Sequence, residues 1–294
     1  MPENLSYLVI GHIMVDVIVQ PHAPLAPTSD TPASVRFTRG GAGGNIAVAI
    51  AQHRVAVTYG GVSGDDWGAR MAEENLRGHG VTPRFVKSDY ATGTVVAVVG
   101  DDAQRAMLTD PGANATLRVP DVAEMFESVA PTHFHLSGYV LLDARTRPAG
   151  KYALSAAREM GIPTSVDACS VSPLELLGPD IFLTLADADS FFCNDEEAAA
   201  LAGTLDVEEQ RRVLATRFQN VVITCGSRGA VAHVDGRDWE VPAREVRAVD
   251  TTGAGDAATG TFLAARALGR SVDDALGEAM EASAVTIERL GATE

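Results

Sequence analysis

Strand-like and helix-like stretches alternate along most of this chain, and that alternation restricts it to few architectures. Tyr7–Val19 reads as a long strand, Gly44–His53 as a helix, Val55–Gly61 as a strand and Asp66–Arg77 as a helix stopped by Gly78. Thr132–Leu136, Pro163–Asp167, Ser190–Cys193 and Val221–Cys225 are short apolar strands. Helical patterns at Arg145–Met160, Asp195–Leu201, Val207–Arg217, Ala257–Leu268 and Val272–Arg289 separate or follow them. Strands alternating with helices pack as a mostly parallel central sheet covered on both faces. A three-layer αβα fold in a single α/β domain, residues 1–294, is therefore expected. Two segments break the alternation: Gln20–Thr38, with four prolines before the strand-like Ser34–Thr38, and Gly93–Thr109, which reads as a hairpin turning at Gly100–Arg105. Strands from about 17–38 and 93–111 are expected to form a small β lid over a cleft, shielding what reacts there from water. A pair of static edge strands fits the same pattern.

Between a strand-like run and the last-but-one helix lies Asp250-Thr251-Thr252-Gly253-Ala254-Gly255-Asp256. Gly253, Ala254 and Gly255 leave backbone N–H groups uncovered at the positive end of a helix dipole, a ready site for an anion. Asp256 sets a carboxylate beside that anion. The combination suits phosphoryl transfer, in which N–H groups hold developing charge while a carboxylate orients an attacking hydroxyl. Alone, the residues also fit a glycine turn with Asp256 supporting the first helical turn. A helix N-terminus lowers a carboxylate pKa, so Asp256 is expected to be ionised.

The formal charge of -16 argues against a nucleic-acid or anionic-membrane surface. Lys87 and Lys151 are the only lysines, so an anionic ligand must be met locally by arginine, backbone amides or a metal ion. Met1-Pro2-Glu3-Asn4 has no basic segment leading into an apolar signal core, and no apolar run is long enough to span a bilayer. Cys169, Cys193 and Cys225 are widely spaced and lack metal-ligand spacing, as expected for reduced cysteines in a cytoplasmic protein.

Arg39-Gly40-Gly41-Ala42-Gly43-Gly44-Asn45 precedes a small-residue helix; its glycines allow a ligand close to the backbone, or simply a flexible start to the helix. Asn45 can offer a donor and an acceptor to a polyol. Asp16 sits in an apolar run, where a carboxylate is costly unless paired or solvated; it either binds substrate hydroxyls or marks an exposed strand end. Asn194 and Glu197 match a capping box, or organise magnesium and its waters. Thr224-Cys225-Gly226-Ser227-Arg228-Gly229 is a glycine turn, or a passage for a nucleotide with Arg228 near phosphate. His133 and His135 share a strand face without a third metal ligand and read as structural. P-loop spacing is absent.

In order, these motifs resemble the ribokinase-like (PfkB) carbohydrate kinase family. Gly40-Gly41-x-Gly43-x-Asn45 is similar to its first signature and Asp250–Asp256 to its second. The likeness extends to Gly61-x-x-Gly64-Asp65-Asp66-x-Gly68, Ser137-Gly138-Tyr139, Asn194-x-x-Glu197 and Gly226-Ser227-Arg228-Gly229, covering nearly the whole chain. The resemblance implies ATP-dependent phosphorylation of a hydroxyl on a small molecule, in a ribokinase-like fold. It implies Asp256 as catalytic base, with Gly253, Ala254 and Gly255 as the anion hole. Asp16, Gly41 and Asn45 hold the substrate, and Thr224, Gly226, Gly229 and Asn194 border the nucleotide. Glu197 positions Mg2+ through water, and Asp250 and Thr252 match positions that bind an activating monovalent cation such as K+ in some members. Met14 stands where many ribokinases have asparagine, and Met280 where relatives often have an asparagine near the adenine. Ala168-Cys169-Ser170 replaces residues of relatives that act on acidic sugars. A neutral ribose- or fructose-like sugar is the expected acceptor. A nucleoside kinase and a non-catalytic sugar sensor are the alternatives, and a homodimer through the lid is expected.

Overall fold

The computed structural model describes residues 5–99, 105–177, 185 and 188–288. Among these, nine strands form one sheet in the order β13-β12-β11-β10-β9-β8-β1-β4-β5. They are β1 (Ser6–Ile10), β4 (Ala56–Ser63), β5 (Val81–Lys87), β8 (His133–Leu136), β9 (Thr164–Asp167), β10 (Ser190–Asn194), β11 (Asn220–Thr224), β12 (Ala230–Val234) and β13 (Arg237–Val241). All neighbours run parallel except β11/β12 and β12/β13. β5 runs through Pro83 without a break, which an edge strand tolerates.

The central strand β1 is buried on both faces, so its residues divide between two cores. Leu8 and Ile10 pack with Phe134, Leu136, Phe191 and Ile223 on one side. Tyr7 and Val9 pack with Ile46, Ile50, Phe262 and Leu276 on the other. Helices Val119–Val129, Arg147–Glu159, Asp195–Ala202 and Val207–Ala215 contribute to the first core. Helices Ala42–Gln52, Trp67–Gly78, Ala254–Ala267 and Val272–Ile287 contribute to the second, which includes Met280. The result is the three-layer αβα arrangement. No helix among the described residues is long and apolar enough to cross a membrane.

The stretch Tyr7–Val19 is two strands, not one. β1 ends at Ile10, and β2 (Met14–Pro21) starts a second sheet in the order β3-β2-β6-β7, with β3 (Ala33–Gly40), β6 (Gly93–Val99) and β7 (Arg105–Asp110). The turn within 100–104 lies outside the described residues. A Cβ on Gly11 would lie 2.9 Å from the Ser137 Cβ and 3.0 Å from the Gly43 Cα, so only glycine passes there. Asn114 then clamps the bend: its Oδ1 accepts the Ile13 N–H at 2.9 Å and its Nδ2 donates to the Ile13 carbonyl at 2.8 Å. Two buried backbone groups that would lack a ladder partner are thereby satisfied.

Candidate active site

Strand β1 lies between β4 and β8, and the chain reaches its neighbours by connections that diverge to opposite sides. In an open parallel sheet the carboxyl edge at such a point forms a crevice. Six connections meet this edge, at Gly11–Ile13, Gly40–Asn45, Ser137–Tyr139, Asp167–Cys169, Asn194–Glu197 and Gly253–Asp256.

Gly253 is the left-handed N-cap of the helix Ala254–Ala267, at φ 77°, and no side chain caps it. The first regular bond of that helix runs from the Ala257 N–H to the Gly253 carbonyl at 2.9 Å. The N–H groups of Gly255 and Asp256 precede it and have no place in the helical ladder. Asp256 lies in this turn, and Asn45 Nδ2 donates to its Oδ2 at 2.7 Å. Asn45 Oδ1, by contrast, is buried with no hydrogen-bond partner among the described residues.

The expectation that Asp256 would have a lowered pKa is overturned. Burial pushes it up to about 7; Asn45 and Arg39 oppose that rise, while the charges of Asp167 and Glu197 add to it. The helix dipole loses to desolvation and to two neighbouring acids. A carboxylate so raised is a better proton acceptor near neutral pH than an ordinary aspartate. Asp167 goes the other way: burial raises its pKa but is outweighed by His135, Cys169 and the Gly138 N–H. Its Oδ1 accepts that N–H at 2.9 Å and its Oδ2 the Cys169 thiol at 2.9 Å. Sequence reasoning had passed over Asp167; only the pairing of β8 with β9 brings it against His135. Both histidines of the pair are structural, His135 buried on Ser165 and Asp167, and His133 stacked on Tyr7 at 4.8 Å.

Asp16 faces the crevice from β2, its pKa lifted to about 6 by burial, with Arg39 opposing and Asp250 adding. Gly40 and Gly44 are not open to a ligand's backbone approach. A Cβ on Gly40 would overlap the Asp16 carboxyl, and one on Gly44 would lie 2.5 Å from Arg39 Nη1. Gly41, at φ 94°, begins the helix Ala42–Gln52. Asn194 and Glu197 form the reciprocal cap, with the Glu197 N–H on Asn194 Oδ1 at 2.8 Å and the Asn194 N–H on Glu197 Oε2 at 2.9 Å. Glu197 Oε1 stays outside the cap, and burial lifts the carboxyl to about 7. Asp250 is buried and accepts the Thr252 N–H at 2.8 Å.

Beyond β11, Thr224 bonds the Cys193 carbonyl at 3.5 Å and Gly226–Arg228 makes a short 3-10 turn. Gly229, at φ 97°, leaves no room for a Cβ against the Val241 carbonyl. Arg228 pairs with Asp195 at 2.5 Å. Cys169, Cys193 and Cys225 are free, and Cys169 borders the crevice.

A bare helix start beside a buried carboxylate, at the carboxyl edge of a parallel sheet, suits a phosphotransferase with an alcohol as acceptor. The model of the pfkB family carbohydrate kinases matches residues 4–294, and the chain belongs to that family of sugar kinases. It is 32% identical over 291 residues to an ATP-dependent ribose-1-phosphate kinase of Halopiger xanaduensis, covering 96% of this chain and 92% of that one. Its fold matches the adenosine kinase of Sinorhizobium meliloti with a TM-score of 0.88 at 23% identity, over 99% and 96% of the two chains. The ribokinase of Arabidopsis thaliana, solved with ribose and ATP, matches with a TM-score of 0.80 at 22% identity, over 98% and 94%.

Asp16, Glu197 and Asp256 all have folded-state pKa values above the ordinary carboxylate value of about 4. A raised pKa gives stability that is complete below the unfolded value and lost as pH rises through the folded one. The unliganded protein should therefore melt at a lower temperature at pH 8 than at pH 5.5. Asp256→Asn should shrink that difference by raising the pH 8 value. Melting curves across this range that show no such slope, or a steeper one in the variant, would contradict the assignment.

Proposed function

We propose that the protein transfers the γ-phosphoryl group of ATP to a hydroxyl of a neutral, ribose- or fructose-like sugar. The observation that carries this reading is the Asn45–Asp256 bond beside the uncapped helix start. Asp16 accepts hydrogen bonds from two sugar hydroxyls, and Asn45 Oδ1 accepts a third beside the Gly41 turn. Asp256 takes the proton of the attacking hydroxyl, a step needed late in a loose transition state. The N–H groups of Gly253, Ala254 and Gly255 donate to the oxygens of the phosphoryl group in flight, Ala254 exchanging the Thr251 carbonyl that its N–H meets at 3.3 Å in the unliganded chain. Thr224, Gly226, Gly229 and Asn194 border the nucleotide. Glu197 Oε1 suits a magnesium ion that keeps most of its waters, and such an ion supplies charge neutralisation on the phosphates. Asp250 with Thr252 is our assignment for a monovalent cation, with potassium the candidate.

A neutral acceptor is supported by how the nearby cations are spent. Arg145 forks onto Asp143, with Nη2 on Oδ2 at 2.5 Å, Arg228 pairs with Asp195, and Arg39 Nε donates to Asn75 at 2.7 Å. Asp16, Asp167, Glu197 and Asp256 add acidic charge to the crevice, which opposes a phosphorylated acceptor, while strand register puts one cation, Arg36, on the Asp16 face of the lid. The 32% identical relative favours a second reading, ribose 1-phosphate. A nucleoside is disfavoured by the lid. Strand register puts Thr38, Ile18, Val95, Ala97 and Met107 on the Asp16 face, with no aromatic among the described residues. Phe37 lies on the opposite face, edge-on to Trp67 at 5.5 Å.

That opposite face carries Val17, Val19, Val35, Phe37, Val96 and Leu108, and Phe37 and Leu108 are 53% and 65% exposed. We assign it to a second copy of the chain, joined lid to lid. Light scattering should give twice the chain mass for the native protein and a monomer for Phe37→Asp. A native monomer would contradict the dimer.

ADP release from Mg-ATP should be seen with free ribose or fructose, increase with potassium, and fall at least about a hundredfold in Asp256→Asn. Turnover of ribose 1-phosphate alone would select the second reading. Undiminished turnover in the variant would remove Asp256 from the chemistry.

A further inference from the structure

The lid is joined to the core at four places: before β2, after β3, before β6 and after β7. Three of these four meet at one side chain. Asn114 lies in the short 3-10 turn Gly112–Thr116 that follows β7, and it is 2% exposed. Besides gripping both backbone groups of Ile13, its Nδ2 lies 3.0 Å from the Pro111 carbonyl oxygen and 3.2 Å from Met14 Sδ. A Cβ on Gly93, the first residue of β6, would lie 2.4 Å from that Nδ2, 2.6 Å from Met14 Sδ and 2.8 Å from the Pro111 carbonyl oxygen. The starts of β2 and β6 and the end of β7 thus pack on one amide, whose oxygen and two N–H hydrogens are all engaged. The root of β6 is tied a second time. The Thr92 N–H and Oγ1 donate to Asp66 Oδ2 and Oδ1, each at 2.7 Å, and Asp66 caps the helix Trp67–Gly78.

Asp16 is the second residue after Met14 and shares its strand face, and register sets Met14 against Gly93 and Asp16 against Val95. Resting on the reading of Asp16 as an acceptor ligand, we propose that Asn114 is a positioning residue for the acceptor: by pinning the roots of the lid strands, it holds Asp16 where the sugar hydroxyls meet it. Ile13 has no ladder partner in either sheet, so without Asn114 its N–H and C=O are left unsatisfied and β2 is released at that joint. Asp16 lies three residues, roughly 10 Å, beyond the joint, so a swing of about ten degrees displaces its carboxyl by about 2 Å. A misplacement of about 1 Å already costs on the order of a hundredfold in rate. The residues proposed to border the nucleotide, Thr224, Gly226 and Gly229, follow β11 in the large sheet and are carried by no lid strand. The pin therefore acts on the acceptor and spares ATP.

Asn114→Ala should raise the KM for ribose or fructose at least about tenfold and leave the KM for ATP within about twofold of native. Its effect on kcat/KM for the sugar should disappear when Asp16 is already asparagine, because a positioning residue acts through the group it positions. Phe218→Leu, which trims the stack of Phe218 on Phe191 in the core, controls for lost stability alone and should leave both KM values unchanged. With no substrate present, hydrogen exchange of the β2 and β6 amides should quicken at least about tenfold in Asn114→Ala, while β9, β10 and β11 keep their native rates. Asn114→Asp keeps the acceptor for the Ile13 N–H and loses the donor, and it serves if the alanine variant does not fold. Three results would each overturn the proposal: both KM values rising together, effects of Asn114→Ala and Asp16→Asn that multiply, or native lid exchange in a folded variant. If neither sugar turns over in the native protein, the acceptor reading falls and the role of Asn114 with it. Native turnover with an unchanged sugar KM in the variant overturns the role of Asn114 alone.

Discussion

The close crossing of two helices is the constraint on which the site depends. Helices Ala42–Gln52 and Ala254–Ala267 meet at Gly260, where a Cβ would lie 2.6 Å from the Ala49 Cβ and 2.7 Å from the Ile46 carbonyl. Small residues at the crossing let the backbones approach and bring the two N-termini to one place on the sheet edge. Asn45 then reaches Asp256 across 211 positions of sequence. The packing belongs to the core, but its product is chemical: two helix starts and a carboxylate converge on one small volume.

That convergence has an electrostatic cost. Asp16, Asp167, Glu197 and Asp256 are drawn towards the same crevice; burial pushes all four towards protonation, and in all but Asp167 it prevails. Each of the four is met by some opposing device. Asp167 is tied down by a histidine, a thiol and a backbone N–H, and Glu197 by its own helix cap. The charge of Arg39 opposes the rise at both Asp16 and Asp256, and Asn45 bonds Asp256. Strain of this kind is commonly concentrated where a protein does chemistry, because a site optimised for stability would have fewer buried acids.

Much of the architecture was legible in the chain because periodicity reports burial, and burial on both faces of β1 forces a layered fold. The break at Gly11–Ile13 was not legible. A strand that leaves one sheet for another keeps its apolar alternation, and the clamp that bends it is Asn114, about a hundred residues away. Arg39 was passed over for a related reason, since a single arginine closing a strand-like run looks like a solvent-facing residue. The glycines beside it were legible as a motif, but what fills their space at Gly40 and Gly44 comes from other segments. The raised pKa of Asp256 was missed because helix position is local, whereas desolvation and the charges of Asp167 and Glu197 are assembled by the fold. The ion pair of Arg228 with Asp195 was not legible either, since it joins two loops that only the sheet brings together.

The account rests on Asp256 and the Gly253–Gly255 amides acting together on one transferring group. A crystal structure with magnesium, ADP, aluminium fluoride and ribose would test this most directly. The account predicts a planar fluoride complex against those amides, with the acceptor hydroxyl bonded to Asp256 and the remaining sugar hydroxyls on Asp16 and Asn45. Fluoride bound away from the Gly253–Gly255 turn, or a sugar whose reacting hydroxyl makes no contact with Asp256, would contradict it.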